Sequence, residues 1–135
     1  MKIVMIINKD LPSGLMANTA AVLGISAGKM LQEIVGANVL DRDGNVHLGI
    51  TSKVVPVLQC DKLQLKELRR KVFAQAYDEV TAIDFSEIAQ RSLDYESYAK
   101  KIGNTAEEEI DYLGLCIAGP LKKISKLTGN LPLLR

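Results

Sequence analysis

The sequence predicts an α/β fold: a three-layer α/β/α arrangement with a central mixed sheet of about four strands, plus a small β-hairpin. Three observations lead there. Four short runs rich in β-branched and aliphatic residues, Ile3 to Ile7, Lys53 to Cys60, Val80 to Ile83 and Tyr112 to Ala118, alternate with longer stretches whose apolar residues recur every three or four positions. The chain of 135 residues has the size of one domain, so these elements are expected to share one core over residues 1–135. With 47% hydrophobic residues, only 4% aromatic and no Trp, that core must be aliphatic.

Ile3 to Ile7 reads as a strand covered on both faces, and Leu11-Pro12-Ser13-Gly14 breaks it. From Leu15 to Val35 the residues Met16, Ala20, Leu23, Ala27, Met30, Leu31 and Ile34 recur with helical spacing, with Gly36 as the stop. The nearly uncharged first half of this helix suits close packing on a sheet. Val39-Leu40 and Val46-His47-Leu48 flank Asp41-Arg42-Asp43-Gly44-Asn45, whose Asp-Gly step favours a hairpin turn. Lys53 to Cys60 forms the next strand, which Pro56 restricts to an edge, a bulge or a strand end.

Asp61 can cap a second helix whose inward stripe is Leu65, Leu68, Val72 and Ala76, with Lys62, Lys66, Arg69 and Arg70 largely outside it. Asp84 then ends a third strand, at the margin where open α/β sheets hold ligands. Ser86-Glu87 starts a third helix, continuing through Ile88, Leu93, Tyr98 and Ile102 to a stop at Gly103-Asn104. Tyr112 to Ala118 is the last strand, Gly119-Pro120 turns the chain, and a short basic helix spans Leu121 to Leu127.

Seventeen basic against sixteen acidic residues give a net charge of +1, so no whole-molecule field favours nucleic acid or an anionic membrane. The run after Met1-Lys2 ends at Asn8-Lys9-Asp10, short of a signal-peptide core, and no segment approaches the length of a membrane span. A cytoplasmic protein is expected. Cys60 and Cys116 stand at or inside apolar runs and read as reduced core residues, a disulfide between them being the lesser alternative. His47, the one histidine, has no Cys or His ligand set beside it, so neither a metal site nor a cofactor is expected.

Two separated stretches resemble the type II peptidyl-tRNA hydrolases. Leu113-Gly114-Leu115-Cys116-Ile117-Ala118-Gly119-Pro120, leading through Ile124-Ser125-Lys126-Leu127 to Thr128-Gly129-Asn130-Leu131, is similar to that family's closing strand, Gly-Pro, short helix and Thr-Gly-His-Leu. Ser13 to Val22 resembles its Gly-Lys-x-Ala-x-Gln segment, with Ala17 and Asn18 at the Ala and Gln positions. The resemblance implies that family's fold over nearly the whole chain, with the hairpin near Asp43-Gly44 as an extra. It also sets Gly14 where those enzymes carry a catalytic lysine and Asn130 where they carry a histidine. Asp84 falls on their acidic position after the third strand. This mixture is most similar to an uncharacterised, mainly bacterial sister family sharing the hydrolase fold.

Ester hydrolysis at a tRNA 3′ end needs a positioned water, a proton acceptor and a group to hold the developing oxyanion. Asp84 is the candidate acceptor and Lys9 the candidate replacement cation, with Asn18 orienting a carbonyl or water. The alternative makes Lys9 a solvated loop charge, Asn18 a helix-start residue and Asp84 a cap or turn residue. The turn at Ser13 and Gly14 leads into a helix N-terminus able to hold an anion, although an ordinary strand-to-helix turn looks the same. The leading expectation is a protein that binds a small anionic or nucleotide-like ligand near Ser13, Gly14, Asn18 and Asp84. A hydrolase using Lys9 and Asp84 and a homodimeric interaction module are the alternatives. For tRNA, Lys62, Lys66, Arg69, Arg70 and Lys71 would need to join Lys122, Lys123 and Lys126 in one patch, but no interleaved aromatic residues provide a stacking platform.

Overall fold

β1 (Lys2–Asn8) lies in the interior of the sheet, and the alternation of its side chains decides the layout. Val4 and Ile6 join one buried cluster, whereas Ile3, Met5 and Ile7 join a second. Both faces need cover, which is why the strand is a continuous apolar run. In the computed structural model, which describes residues 1–74 and 78–135, β1 pairs in parallel with β4 (Val57–Cys60) and antiparallel with β6 (Tyr112–Gly119). β5 (Thr81–Ser86) adds to the far side of β6, again antiparallel. The result is a mixed four-stranded sheet in the order β4-β1-β6-β5. β1, β4 and β5 therefore all end at one margin.

α1 (Ser13–Met30) covers one face through Thr19, Leu23 and Ala27. It comes close to β6 because Gly114 has no side chain: a Cβ there would stand 2.7 Å from Thr19 Cγ2 and 3.0 Å from Ile7 Cδ1. α2 (Lys62–Ala74) and α5 (Leu121–Thr128) cover the opposite face with Leu65, Leu68, Val72, Ile124 and Leu127. Asp61 and Gln64 form a reciprocal cap at the start of α2, each backbone N–H donating to the other's side-chain oxygen at 2.9 and 2.8 Å. No helix among the described residues is long and apolar enough to cross a membrane.

Several expected boundaries move. The first helix starts at Ser13 and ends at Met30, where Leu31 becomes extended and Glu33 takes a φ of 60°, so Gly36 is not its stop. Leu31 and Ile34 nevertheless stay buried, because the chain folds back along the same face. Their helical spacing reported burial and not helix. The second strand is confined to Val57–Cys60, at the sheet edge, since Pro56 precedes it and Val54 faces solvent. Ala76 of the expected stripe lies outside the described residues. The third strand runs on through Ser86, which leaves Asp84 two residues inside its end.

The expected third helix is two. α3 (Glu87–Arg91) is capped by Ser86 and α4 (Tyr95–Gly103) by Asp94, whose Oδ1 accepts from Ser97 N at 2.7 Å. Between them Leu93 is 99% exposed, so it is not part of an inward stripe. A bulge also interrupts the β5–β6 register: Phe85 pairs with Gly114 and Ser86 with Tyr112, so Leu113 is the extra residue. This resets the alternation and turns Tyr112 toward α2.

β2 (Val39–Leu40) and β3 (Val46–His47) form the hairpin, at the end of a longer two-stranded arm. Ser52 N donates to Ile34 O at 2.7 Å and Gly36 N to Ile50 O at 2.8 Å, and Gly49 N reaches Asn38 Oδ1 at 2.9 Å. At the tip Asp41 Oδ1 accepts from Asp43 N and Asn45 N, and Gly44 supplies the φ of 84° that the turn requires. Gly36 and Gly49 press backbone against backbone, since a Cβ on Gly49 would fall 1.8 Å from Gly36 O. From 35 to 54 every residue except Gly49 is exposed.

Candidate functional site

A cleft of about 450 Å³ opens along the outer edge of β5. Ile83, Asp84 and Phe85 all border it, and three consecutive strand residues can do so only where the backbone edge itself forms a wall. α1 supplies the second wall with Val22, Ser26 and Met30, which its i, i+4, i+8 spacing places in one row. The third wall comes from the α3–α4 junction, through Ser92, Asp94, Tyr95 and Tyr98. The break at Leu93 thus turns Tyr95 and Tyr98 toward the strand edge, with their rings edge to face at 5.4 Å.

Asp84 is held from behind. Its Oδ2 accepts from Arg69 Nε at 3.1 Å, and the two side chains are 20% and 18% exposed. Arg69 is itself fixed, its guanidinium carbon 3.3 Å from the Phe73 ring centroid and 5.7 Å from that of Tyr112. Burial pushes the Tyr98 phenol above its ordinary value, with the Asp84 carboxylate and Tyr95 adding to the shift, so it remains protonated and able to donate near neutral pH. Tyr112 is pushed up to about 12, again mainly by burial, against which Arg69 acts in the opposite direction. Among the described residues lining the cleft there are two carboxylates, several hydroxyls and no basic group.

The residues singled out from the sequence are distributed differently. Lys9 follows β1, its Nζ 3.9 Å from Asp10 Oδ1 and its backbone N–H donating to Cys60 O. Ser13 and Gly14 open α1 in solvent, and no side chain caps that helix start. Asn18 is exposed on the same helix. Ser13, Gly14 and Asn18 belong to α1, which covers one face of the sheet, whereas the carboxylate of Asp84 is engaged by Arg69 of α2, which covers the other. The cleft that Asp84 borders includes none of Lys9, Ser13, Gly14 or Asn18.

Sequence periodicity set Arg69 outside the core stripe, and it missed the partner of Asp84. The bulge at Leu113, which brings Tyr112 beside Arg69, leaves no mark in a run of uniformly apolar residues. Tyr95 and Tyr98 were findable: Asp94-x-x-Ser97 is a capping signature that announces a new helix start.

The basic helices do share one face. Lys71 of α2 and Lys126 of α5 border a second cleft of about 330 Å³, together with Gln64, Glu67 and Asn130. Of the other basic residues on these two helices, Lys62 and Lys66 pair with Asp111, Arg70 with Glu107 and Lys123 with Glu79. Cys60 and Cys116 are both free and buried, and they belong to opposite faces of the sheet. Burial pushes their thiols up to about 12 and about 11, which leaves them unreactive near neutral pH. His47 lies 2.9 Å from Asp41 Oδ2 on the arm, and no group of three or more potential metal ligands occurs among the described residues.

No curated protein matches the chain. A solved structure of a protein of unknown function, Atu0240 from Agrobacterium tumefaciens strain C58, superposes with a TM-score of 0.86 at 20% identity, covering 98% of this chain and 96% of that one. At that identity the likeness concerns the fold. A model of the family described as "Protein of unknown function (DUF2000)" matches residues 1–135, and the chain belongs to that family.

Proposed function

We propose that the protein is a binding protein built on a scaffold of the type II peptidyl-tRNA hydrolase kind, which takes a small, flat molecule bearing N–H donors into the cleft along β5. The observation that carries this reading is the lining of the cleft. Asp84, Asp94 and the hydroxyls of Ser26 and Ser92 offer acceptors, and Tyr95 and Tyr98 offer ring faces over an apolar floor that includes Val22 and Phe85. Such a lining favours an uncharged or cationic ligand, such as a nucleobase or an aromatic amine, over the phosphate of a nucleotide. By the resemblance to the type II peptidyl-tRNA hydrolases, Gly14 stands where those enzymes carry a catalytic lysine, and Asp84 is tied to Arg69. Both features favour recognition over turnover.

Chemical-shift mapping on labelled protein with adenosine and tryptamine tests the reading. Shifts concentrated at Ser26, Asp84 and Tyr98, weakened in Asp84→Asn, are expected; shifts elsewhere, or unchanged affinity in the variant, would refute it. Peptidyl-tRNA cleavage lost in Asp84→Ala would establish the hydrolase in its place. A second reading places an anionic ligand between α2 and α5, and it has one observation in its favour: Lys71 and Lys126 face one cleft with no ion-pair partner among the described residues. Inorganic phosphate should then shift both lysines. The uncapped start of α1 at Ser13 and Gly14, with Lys9 and Asn18 close by in sequence, is where the same titration would show the anion site expected from the sequence.

A further inference from the structure

The arm from 35 to 54 has no core of its own. Val35, Val39, Leu40, Val46, Leu48, Ile50 and Val54 are each 55–85% exposed, together the equivalent of about five fully exposed aliphatic residues. An isolated two-stranded hairpin is marginal in water, and scattered apolar exposure on a monomer does not ordinarily gather on one projecting element. Both β2 and β3 are also edge strands, with none of the lysine or proline that commonly guards an edge.

We propose that this arm is a homodimerisation element, in which two copies pair their arms about a two-fold axis. Symmetry favours the arrangement, because a two-fold axis brings the same strand edge of both copies together antiparallel and continues the ladder. Charge favours it as well. The arm's acidic groups are confined to the tip, Asp41 2.9 Å from His47 and Asp43 3.9 Å from Arg42, and Lys53 lies at the base, so Val39, Leu40 and Val46 of the paired strands carry no charge to repel an identical partner. The arm's apolar area is of the order a dimer needs. A fully exposed aliphatic side chain carries roughly 60–120 Å² of apolar surface on the usual transfer scale, which gives the arm roughly 300–600 Å². A standard interface buries about 800 Å² per partner, about two-thirds of it apolar in homodimers, or roughly 500 Å².

Sedimentation velocity from low micromolar to submillimolar concentration tests this on the full chain. A dimer is expected for the wild type, and Leu40→Asp with Leu48→Asp is expected to weaken association by roughly a hundredfold or more while leaving the far-UV spectrum unchanged. Hydrogen exchange supplies a readout that needs no variant: amides between Val39 and His47 should gain protection as wild-type concentration rises. A wild type that stays monomeric throughout overturns the proposal and leaves the arm to a different protein. A dimer that survives both aspartates, or forms without arm protection, overturns it too.

Discussion

Replacing Arg69 by Met and Asp84 by Asn, singly and together, measures whether Asp84 is chiefly a structural anion. Removing one member of a fully buried pair costs about 3–5 kcal/mol, because it strands a charge, whereas exposed pairs are worth about 0.2–1 kcal/mol. With side chains 18% and 20% exposed and Nε 3.1 Å from Oδ2, this pair lies between those limits. Solvent screening sets the expected coupling at about 1–2 kcal/mol. Arg69→Met also loses the guanidinium stacked on Phe73, about 0.5–1 kcal/mol at a partly exposed site. The single variants should therefore cost about 1.5–3 kcal/mol for Arg69→Met and about 1–2 kcal/mol for Asp84→Asn. The double variant should fall short of their sum by the coupling. Urea unfolding of all four proteins, with unchanged m-values, gives the cycle. A coupling within about 0.3 kcal/mol of zero would refute the reasoning and show the two groups acting independently.

Gly114→Ala forces a methyl against Thr19 and within 3.1 Å of the backbone oxygen of Ile6, which cannot give way. The expected loss is about 1–3 kcal/mol, and a melting temperature within about 1 °C of wild type would contradict it. Cys60 and Cys116 should resist a thiol reagent at pH 8 in the native protein and react fully in denaturant; fast native labelling would show that burial is not what raises them. Asp94 is held below its ordinary value of 3.8 by the Ser97 N–H it accepts from. The unfolded chain therefore takes up the proton first on acidification, so the cap's contribution is full at neutral pH, begins to go near pH 4 and is lost through the lower folded value. Asp94→Ala should lower stability at pH 7 and flatten the decline below pH 4; an equally steep decline would refute the assignment.

Much of the architecture could be read from local chemistry. The apolar runs of β1 and β6, the Asp61 cap and the Asp43-Gly44 turn each depend on neighbours in sequence, and each was legible. Leu31 and Ile34 misled because burial and helicity share a period until the chain departs from the helix and keeps to the same face. Asp84 was legible as a residue of interest, but its partner was not. Arg69 meets it only through packing of α2 on the sheet, a contact between residues fifteen apart in sequence. The rest of the cleft depends on how α1, β5 and α4 assemble, which no single segment encodes.

The sheet leaves the molecule with two interiors and, among the described residues, no buried side chain common to both. Ile3, Ile7 and Leu23 feel the packing under α1, while Val4, Ile6 and Leu65 feel the packing under α2, with a layer of backbone hydrogen bonds between the two groups. Volume lost on one side cannot be recovered by a larger residue on the other. Changes across the sheet should thus sum independently, whereas changes within one layer should interact. Each face is free to drift at its own pace, so the wall that α1 gives the β5 cleft can be reshaped without disturbing the layer that anchors Arg69.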